Sequence, residues 1–287
     1  MHITIPTLLL LGTPGYVQAG DWFADLRGDP SHLPDRLMIR GGGAFIFGAN
    51  TDLTVNPLPG IGGTINYQDT LGGNDSSSAI RFDGLFRFTP SHSLGLSWYR
   101  VSLAGNRTLN EQIQIDGNII DIGASTNSSL NINLYRLLYN YSFYHTDAIE
   151  IAFAPGLYMA NIKFALSAQG SITPPRGGTA TRLVSEEALT LPLPSLGILL
   201  NYRLTPRLHT SFRSDFFYLS VGEYEGSMFE IYFGLEYQLF KYLAIGAAYD
   251  RLQADVTNNN DSGGFRVNTA FNLVYLYGTV YFFETPL

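Results

Sequence analysis

The chain contains no cysteine, which excludes disulfides, thiolate nucleophiles and the commonest structural zinc sites. It is also poor in charge. Lys, Arg, Asp and Glu make up 14% of its 287 residues, against roughly 25% in soluble domains. Positive charge is the scarcer sign, with 17 Lys and Arg against 24 Asp and Glu. A net charge of −7 with no basic cluster argues against a nucleic-acid partner. Beyond the N-terminus no apolar run approaches the roughly 18 residues of a helical membrane span, so such spans are excluded. Phosphate-cradling glycine loops and metal-spaced histidines are missing as well, and the residues call for no metal and no cofactor.

What the chain has in quantity is aromatic residues and glycine: 18 Tyr, 19 Phe and 30 Gly. The stretch from Arg266 to Phe283 shows how they are used. One alternate set runs Val267, Thr269, Phe271, Leu273, Tyr275, Tyr277, Thr279, Tyr281, Phe283, and the other contains Asn268, Asn272, Val274, Leu276, Gly278 and Val280. Side chains of a strand point to opposite faces in turn, so this is a ribbon with one greasy wall and one smaller, partly polar wall. It is long enough to cross a hydrocarbon layer at a tilt, which takes roughly 9–11 residues. Low charge with hydrophobicity hidden in every second residue fits an all-β, transmembrane, antiparallel up-and-down β-barrel. A soluble β-sandwich is the competing class.

About ten strands are expected, at residues 36–48, 80–89, 93–104, 129–143, 148–162, 190–204, 207–219, 227–240, 242–253 and 267–283, with eight or twelve as alternatives. Their connections alternate. Tight turns at Thr89–His92, Tyr144–Asp147, Thr205–Pro206 and Lys241 alternate with long polar loops at 49–79, 105–128, 163–189, 220–226 and 254–266. Short turns at one end and long loops at the other are the habit of membrane barrels and not of sandwiches. On the second strand Ile80, Phe82, Phe86 and Phe88 should face lipid. On the seventh and eighth, Phe212, Phe216, Phe229 and Phe233 should do the same. The fourth strand changes parity, and a β-bulge near Tyr135-Arg136 is expected to turn Leu130, Ile132 and Leu134 outward and to keep Asn131, Asn133, Arg136 and Asn140 inside. Arg100 shares a face with Leu94, Leu96 and Trp98 and should lie near the outer rim. Tyr99, Tyr144, Tyr202, Tyr242 and Tyr281 suit interfacial girdles.

Residues 1–19 read as a secretory signal peptide, with an apolar Leu8–Leu11 centre and a Val17-Gln18-Ala19 cleavage pattern, although only His2 stands where positive charge is usual. Residues 20–35 form a polar periplasmic lead-in and 36–287 the barrel. The terminal Gly278-x-x-Tyr281-x-Phe283 resembles the assembly signal of bacterial outer-membrane barrels, departing from it at Leu276, where a polar residue is usual. With turn-flanked segments such as Phe86-Arg87-Phe88-Thr89-Pro90, it makes the chain similar to the loosely defined outer-membrane β-barrel proteins. That resemblance implies the outer membrane as location, its lipid and lipopolysaccharide as surroundings, the barrel-assembly machinery as a partner, and a monomer.

The expected lumen carries Arg36, Arg40, Arg81, Asp83, Arg87, Arg136, Glu150, Arg203, Arg213, Asp215, Glu230, Glu236 and Asp250. Two uses suit them. They line a narrow, porin-like channel for small solutes, or they pair and fill a closed structural or adhesive barrel whose loops bind lipopolysaccharide or a partner. Enzymatic machinery is not expected. The size and strand count resemble the omptin proteases, but their Asp-x-Asp and Asp-x-His pairs occur nowhere in the chain. His209-Thr210-Ser211 looks like the local pattern of outer-membrane lipid A deacylases, yet it follows a periplasmic turn and projects inward. Loop carboxylates at Glu111, Asp116, Asp121, Glu186, Glu187, Glu223, Glu225, Asp255 and Asp261 lack calcium-loop spacing.

Overall fold

The computed structural model describes residues 36–56, 63–115, 117–258 and 264–282. The proposed signal peptide and lead-in, Asp116, Asp261 and Phe283 lie outside the described residues. Fourteen strand segments form one antiparallel sheet: β1 (Leu37–Asn56), β2 (Gly63–Asn66), β3 (Ser77–Thr89), β4 (His92–Thr108), β5 (Ile113–Ile115), β6 (Asn118–Ile120), β7 (Ser125–His145), β8 (Ile149–Phe153), β9 (Gly156–Thr173), β10 (Ala180–Arg203), β11 (Leu208–Val221), β12 (Tyr224–Phe240), β13 (Leu243–Asn258) and β14 (Gly264–Phe282). The sheet closes on itself. β14 pairs with β1 from Leu37↔Phe282 upward, and β10 pairs with β11. Ten staves make the wall. β8 and β9 both lie between β7 and β10 and count as one, while β2, β5 and β6 are short pieces at the loop end. The segment count thus exceeds the ten strands expected, and the number of staves equals it. Among the described residues no helix is long and apolar enough to cross a membrane, which says nothing of strands.

The outer wall is greasy and the lumen holds the charge. Ile80, Phe82, Phe86, Leu96, Leu137, Ile198, Phe216, Phe233 and Leu276 are among the exposed large apolar residues, whereas Arg81, Arg87, Asp215 and Glu230 are at most 2% exposed. This inverts the polarity of a soluble protein and suits a hydrocarbon surround. The belt has a sharp upper edge. Trp98, Tyr135 and Met159 stand side by side on β4, β7 and β9, and one pleat higher the same positions are Arg100, Asn133 and Asn161. Above that line the wall reverts to soluble-protein polarity, with Leu103, Leu130, Leu166 and Ile172 buried inside.

The bulky set of the terminal strand faces the lumen: Phe271, Leu273, Tyr275 and Tyr277 are buried, and the smaller set, with Val274, Leu276 and Val280, meets lipid. A barrel of this girth has to fill its own interior, and the bulky set does so. Three expectations need correction. The bulge near Tyr135-Arg136 is absent: β7 pairs with β4 without a break from Tyr141 to Ser125. Leu130, Ile132 and Leu134 therefore point inward and Asn131 and Asn133 outward, which is tolerable because they lie above the lipid edge. Arg36 is exposed over the Phe86 ring rather than in the lumen. Of the girdle tyrosines, Tyr99 is buried and Tyr281 bonds the Glu236 carboxylate inside, while Tyr144 and Tyr202 are exposed on the wall. Arg100 is at the outer rim as expected, 3.2 Å from Asn131 Oδ1.

The long loops are shorter than expected because strands continue into them, and they fold back into a cap. The Tyr67 hydroxyl donates to the Leu103 carbonyl at 3.1 Å, Gly73 bridges Gly105, and Ile120 of the β5–β6 hairpin pairs with Ile172 of β9. Tyr67, Leu71, Leu109, Ile113 and Ile120 are buried in the cap, continuous with the apolar core inside the barrel. The cap carboxylates are occupied with holding it. Ser171 donates to Asp121 at 2.6 Å and Gln112 at 2.8 Å, and Arg266 pairs with Asp255. Glu111 accepts from Thr70.

Gly42 faces inward where a Cβ would collide with the Leu276 carbonyl on β14, while a Cβ on Gly43 meets nothing. Gly42→Val should therefore destabilise the barrel by about 1–3 kcal/mol and Gly43→Val by much less, read from urea midpoints of the folded band on heat-shift gels. In the cap, the hydroxyl of Ser171 and the amide of Gln112 hold Asp121 below its ordinary pKa, and Arg266 does the same for Asp255. A depressed carboxyl stabilises above its unfolded pKa of about 3.9, and that contribution disappears as the pH falls through the folded value. Cleavage of the cap by an acid protease should rise as the pH drops from about 5 to about 3. Asp121→Asn should lose part of that dependence.

Candidate functional site: a charged floor beneath an apolar roof

The lumen is filled in two layers. Along most staves the inward residue changes from polar to apolar over one pleat toward the cap: Arg81 to Ala79, Tyr99 to Val101, Arg136 to Leu134, Asp215 to Phe217, Glu230 to Met228, Asp250 to Leu252 and Tyr275 to Leu273. Each pair sits two residues apart and so on one face of its strand.

The lower layer is a network of ion pairs. Two of its contacts are local: Arg81 reaches Asp83 at 3.2 Å and Arg213 reaches Asp215 at 2.7 Å, each across two residues of one strand. The others join different strands, and all but the Arg213–Glu230 contact between neighbouring β11 and β12 reach across the lumen. Arg81 Nη1 lies 2.5 Å from Asp250 Oδ2, Arg136 Nη1 2.8 Å and Arg213 Nη2 2.9 Å from the same Glu230 Oε1, and Arg40 Nη2 2.8 Å from Glu236 Oε2. Tyrosines complete the packing. The Arg81 guanidinium carbon stands 5.3 to 5.5 Å from the ring centres of Tyr99, Tyr275 and Tyr232, close enough for cation–π attraction. Ser97 donates to Asp83 at 2.5 Å and Thr279 to Glu236 at 2.7 Å. Nearer the periplasmic end a separate pair joins Arg87 to Glu150 at 2.5 Å, with Ser142 and Asn201 on the same carboxylate.

The structure thus brings together Arg81, Asp83, Arg136, Arg213, Asp215, Glu230 and Asp250, sets Arg40 with Glu236 beside them, and places Arg87 apart. Arg203 is half-buried near the periplasmic mouth. The floor tyrosines Tyr99, Tyr158, Tyr232 and Tyr275 were not expected as its members. Their signal was parity, since Tyr275 and Tyr277 alternate with Val274 and Leu276 as the arginines of other strands alternate with lipid-facing residues. The network has four arginines (40, 81, 136, 213) and five carboxyl groups (83, 215, 230, 236, 250). Asp215 Oδ1, Glu230 Oε2 and Asp250 Oδ1 are buried with no hydrogen-bond partner among the described residues.

On the periplasmic side of this floor lies a cavity of about 120 Å³, bordered by Arg40, Asn140, Asn201, His209, Ser211 and Glu236. His209 and Ser211 are neighbours on β11 at the periplasmic end. The His209 Nε2 has no hydrogen-bond partner among the described residues, so no nucleophile–base contact is assembled there. Among the described residues no group of histidines and carboxylates has the arrangement of a metal site.

No family model and no curated protein matches the chain. Solved structures do. The outer membrane protease OmpT of Escherichia coli superposes with a TM-score of 0.50 at 10% identity, over 88% of this chain and 98% of that one. The fold is that of a bacterial outer-membrane β-barrel. With it goes the outer membrane as the location, where such an inverted surface is at home. OprG of Pseudomonas aeruginosa (TM-score 0.39, 10% identity, 90% of this chain and 100% of that one) and the toluene transporter TodX of P. putida (0.38, 10%, 91% and 94%) also match, too loosely to add to the fold assignment. At 10% identity the protease speaks for architecture alone.

The outer-membrane barrel should depend on Glu230 more than on any rim pair. Glu230→Gln removes the charge shared by Arg136 and Arg213 and should cost about 3–5 kcal/mol. Arg266→Ala in the exposed cap should cost under about 1 kcal/mol, measured by the same urea midpoints.

Proposed function

We propose that the protein is a closed outer-membrane barrel whose working surface is its extracellular sheet and cap, which meet lipopolysaccharide or a partner. One observation carries this reading: the lumen is crossed by the ion-paired floor, sealed above it by the apolar roof, and covered again by the packed cap. A solute would have to separate buried pairs and then dehydrate against the leucines of the roof, and both steps are costly. Strands β4, β7, β9 and β10 meanwhile run 17 to 24 residues, more than a bilayer needs, and their upper parts form a rigid polar-faced platform.

A narrow, gated channel for small solutes is the second reading. Arg87, Arg136, Arg213, Asp215, Glu230 and Glu236 would line its constriction. The cavity beneath the floor favours it, being large enough for several waters and bordered by charge. Planar-bilayer recording separates the two. The closed reading expects a folded, heat-shifted protein with no steady conductance. It also expects that replacing residues 110–123 by a short linker keeps the heat shift but abolishes binding to lipopolysaccharide-bearing vesicles. Steady channels whose ion selectivity changes on neutralising Arg136 or Arg213 would overturn it in favour of the pore.

A further inference from the structure

Above Leu196 the wall between β10 and β11 is not sewn shut. Their ladder climbs from Arg203↔His209 to Leu196↔Phe216 and stops. From there β10 continues to Ala180 beside β9, and β11 to Val221 beside β12. The cause is in the sequence of β10. Its ladder to β9 runs unbroken through Pro192↔Met159 and Pro194↔Leu157, so the missing N–H groups of both prolines fall on the edge that faces β11. Each removes a bond that the next stave would need. Extending the register by two residues sets Pro194 opposite Tyr218, both exposed on the outer wall near the upper edge of the lipid belt.

What lies behind this seam is apolar. Leu191 and Leu193 of β10 and Phe217 of β11 are buried on the inner side. Deeper still is a cavity of about 30 Å³ bordered by Leu134, Leu193, Met228, Leu252 and Phe271, with no polar atom exposed to it. Directly beneath stand the acceptors that lack donors: Ser195 Oγ, Asp215 Oδ1, Glu230 Oε2 and Asp250 Oδ1. Their residues are at most 4% exposed, and the floor they belong to holds one more carboxyl group than arginines.

We propose that the seam between β10 and β11 admits a single-chain amphiphile from the outer leaflet, its tail entering the apolar roof layer and its cationic, hydrogen-bond-donating head resting on Asp215, Glu230 and Asp250. The entry faces the membrane, so the ligand never crosses the polar cap. The cavity is small in the closed barrel and widens by movement of Met228, whose unbranched side chain adapts to fill gaps, and of Phe217. Head selection follows from charge. The floor arginines are all engaged with carboxylates, so a carboxylate head finds no free cation and faces acceptor oxygens, while an ammonium supplies the donors those oxygens lack. The site is independent of the platform reading, since a closed, non-conducting barrel can hold it.

The absence of cysteine makes the test clean. A Phe271→Trp reporter, at the cavity wall and leaving Met228 in place, is put in a background in which Trp22 and Trp98 are Phe, and the protein is refolded in lipid vesicles. A brominated single-chain alkylamine should quench it, and the matching brominated fatty acid should need about tenfold more ligand for the same effect, about 1.4 kcal/mol. Adding Pro194→Cys with Tyr218→Cys and oxidising should abolish quenching, and reduction should restore it. Pro192→Val with Pro194→Val, which returns both N–H groups and lets the seam zip, should also abolish it and guards against failure of the disulfide to form. Should the reporter variant not fold, the native barrel gives the same contrast through its unfolding temperature, which the alkylamine should raise and the fatty acid should not. Equal quenching by both heads, quenching that survives both seam closures, or a folded protein that responds to neither ligand would overturn the proposal.

Discussion

Hydrocarbon offers no partner to a backbone N–H or C=O, so a sheet in a membrane has to end where it began. The β14–β1 ladder meets that demand, and the rest of the architecture follows from it. Closing ten staves fixes the girth of the barrel. That girth is too wide to leave empty at no cost and too narrow for a broad aqueous channel, so the inward side chains must fill it. They do so with long residues, arginine, tyrosine and glutamate below and leucine, methionine and phenylalanine above. Each arginine of the floor is buried because its carboxylates are buried with it. Glu230 Oε1, accepting from two arginines on different staves, ties opposite walls together.

Much of this was legible in the chain. Period-two alternation with tight and loose connections in turn specified the class, the stave count and the faces of β3, β11 and β12, because a slip of one residue would have set charges in lipid. Arg81-x-Asp83 and Arg213-x-Asp215 were readable as same-face neighbours. The cross-barrel partners were not. Arg81 and Asp250 are 169 positions apart, and only the shear of the closed sheet brings them to one level. The parity error on β7 has a related cause. Leu130, Ile132 and Leu134 were assumed to lie in lipid, whereas they belong to the soluble-like extension, where apolar residues turn inward. No single rule of polarity holds along a strand that crosses two solvents.

The tyrosines show the same limit from another side. Tyr99, in the middle of β4, and Tyr281, at the end of β14, suit an interfacial belt by composition, yet each is turned inward by the parity of its strand and engaged by a charged group, Arg81 and Glu236 respectively. Position along a strand sets depth, and parity sets side. Where the two disagree, parity decides, because a strand cannot rotate one residue without rotating its neighbours.

The abrupt change on the outer wall, from Trp98, Tyr135 and Met159 to Arg100, Asn133 and Asn161 within one pleat, also acts as a depth gauge. A bilayer thicker than the belt would press lipid tails against an arginine and two asparagines, and a thinner one would leave the aromatic row in water. Both mismatches carry a cost that grows with each ångström. The barrel is therefore matched to one hydrocarbon thickness, and it will favour patches of membrane that provide it, gathering there or thinning its surroundings without any dedicated sorting contact.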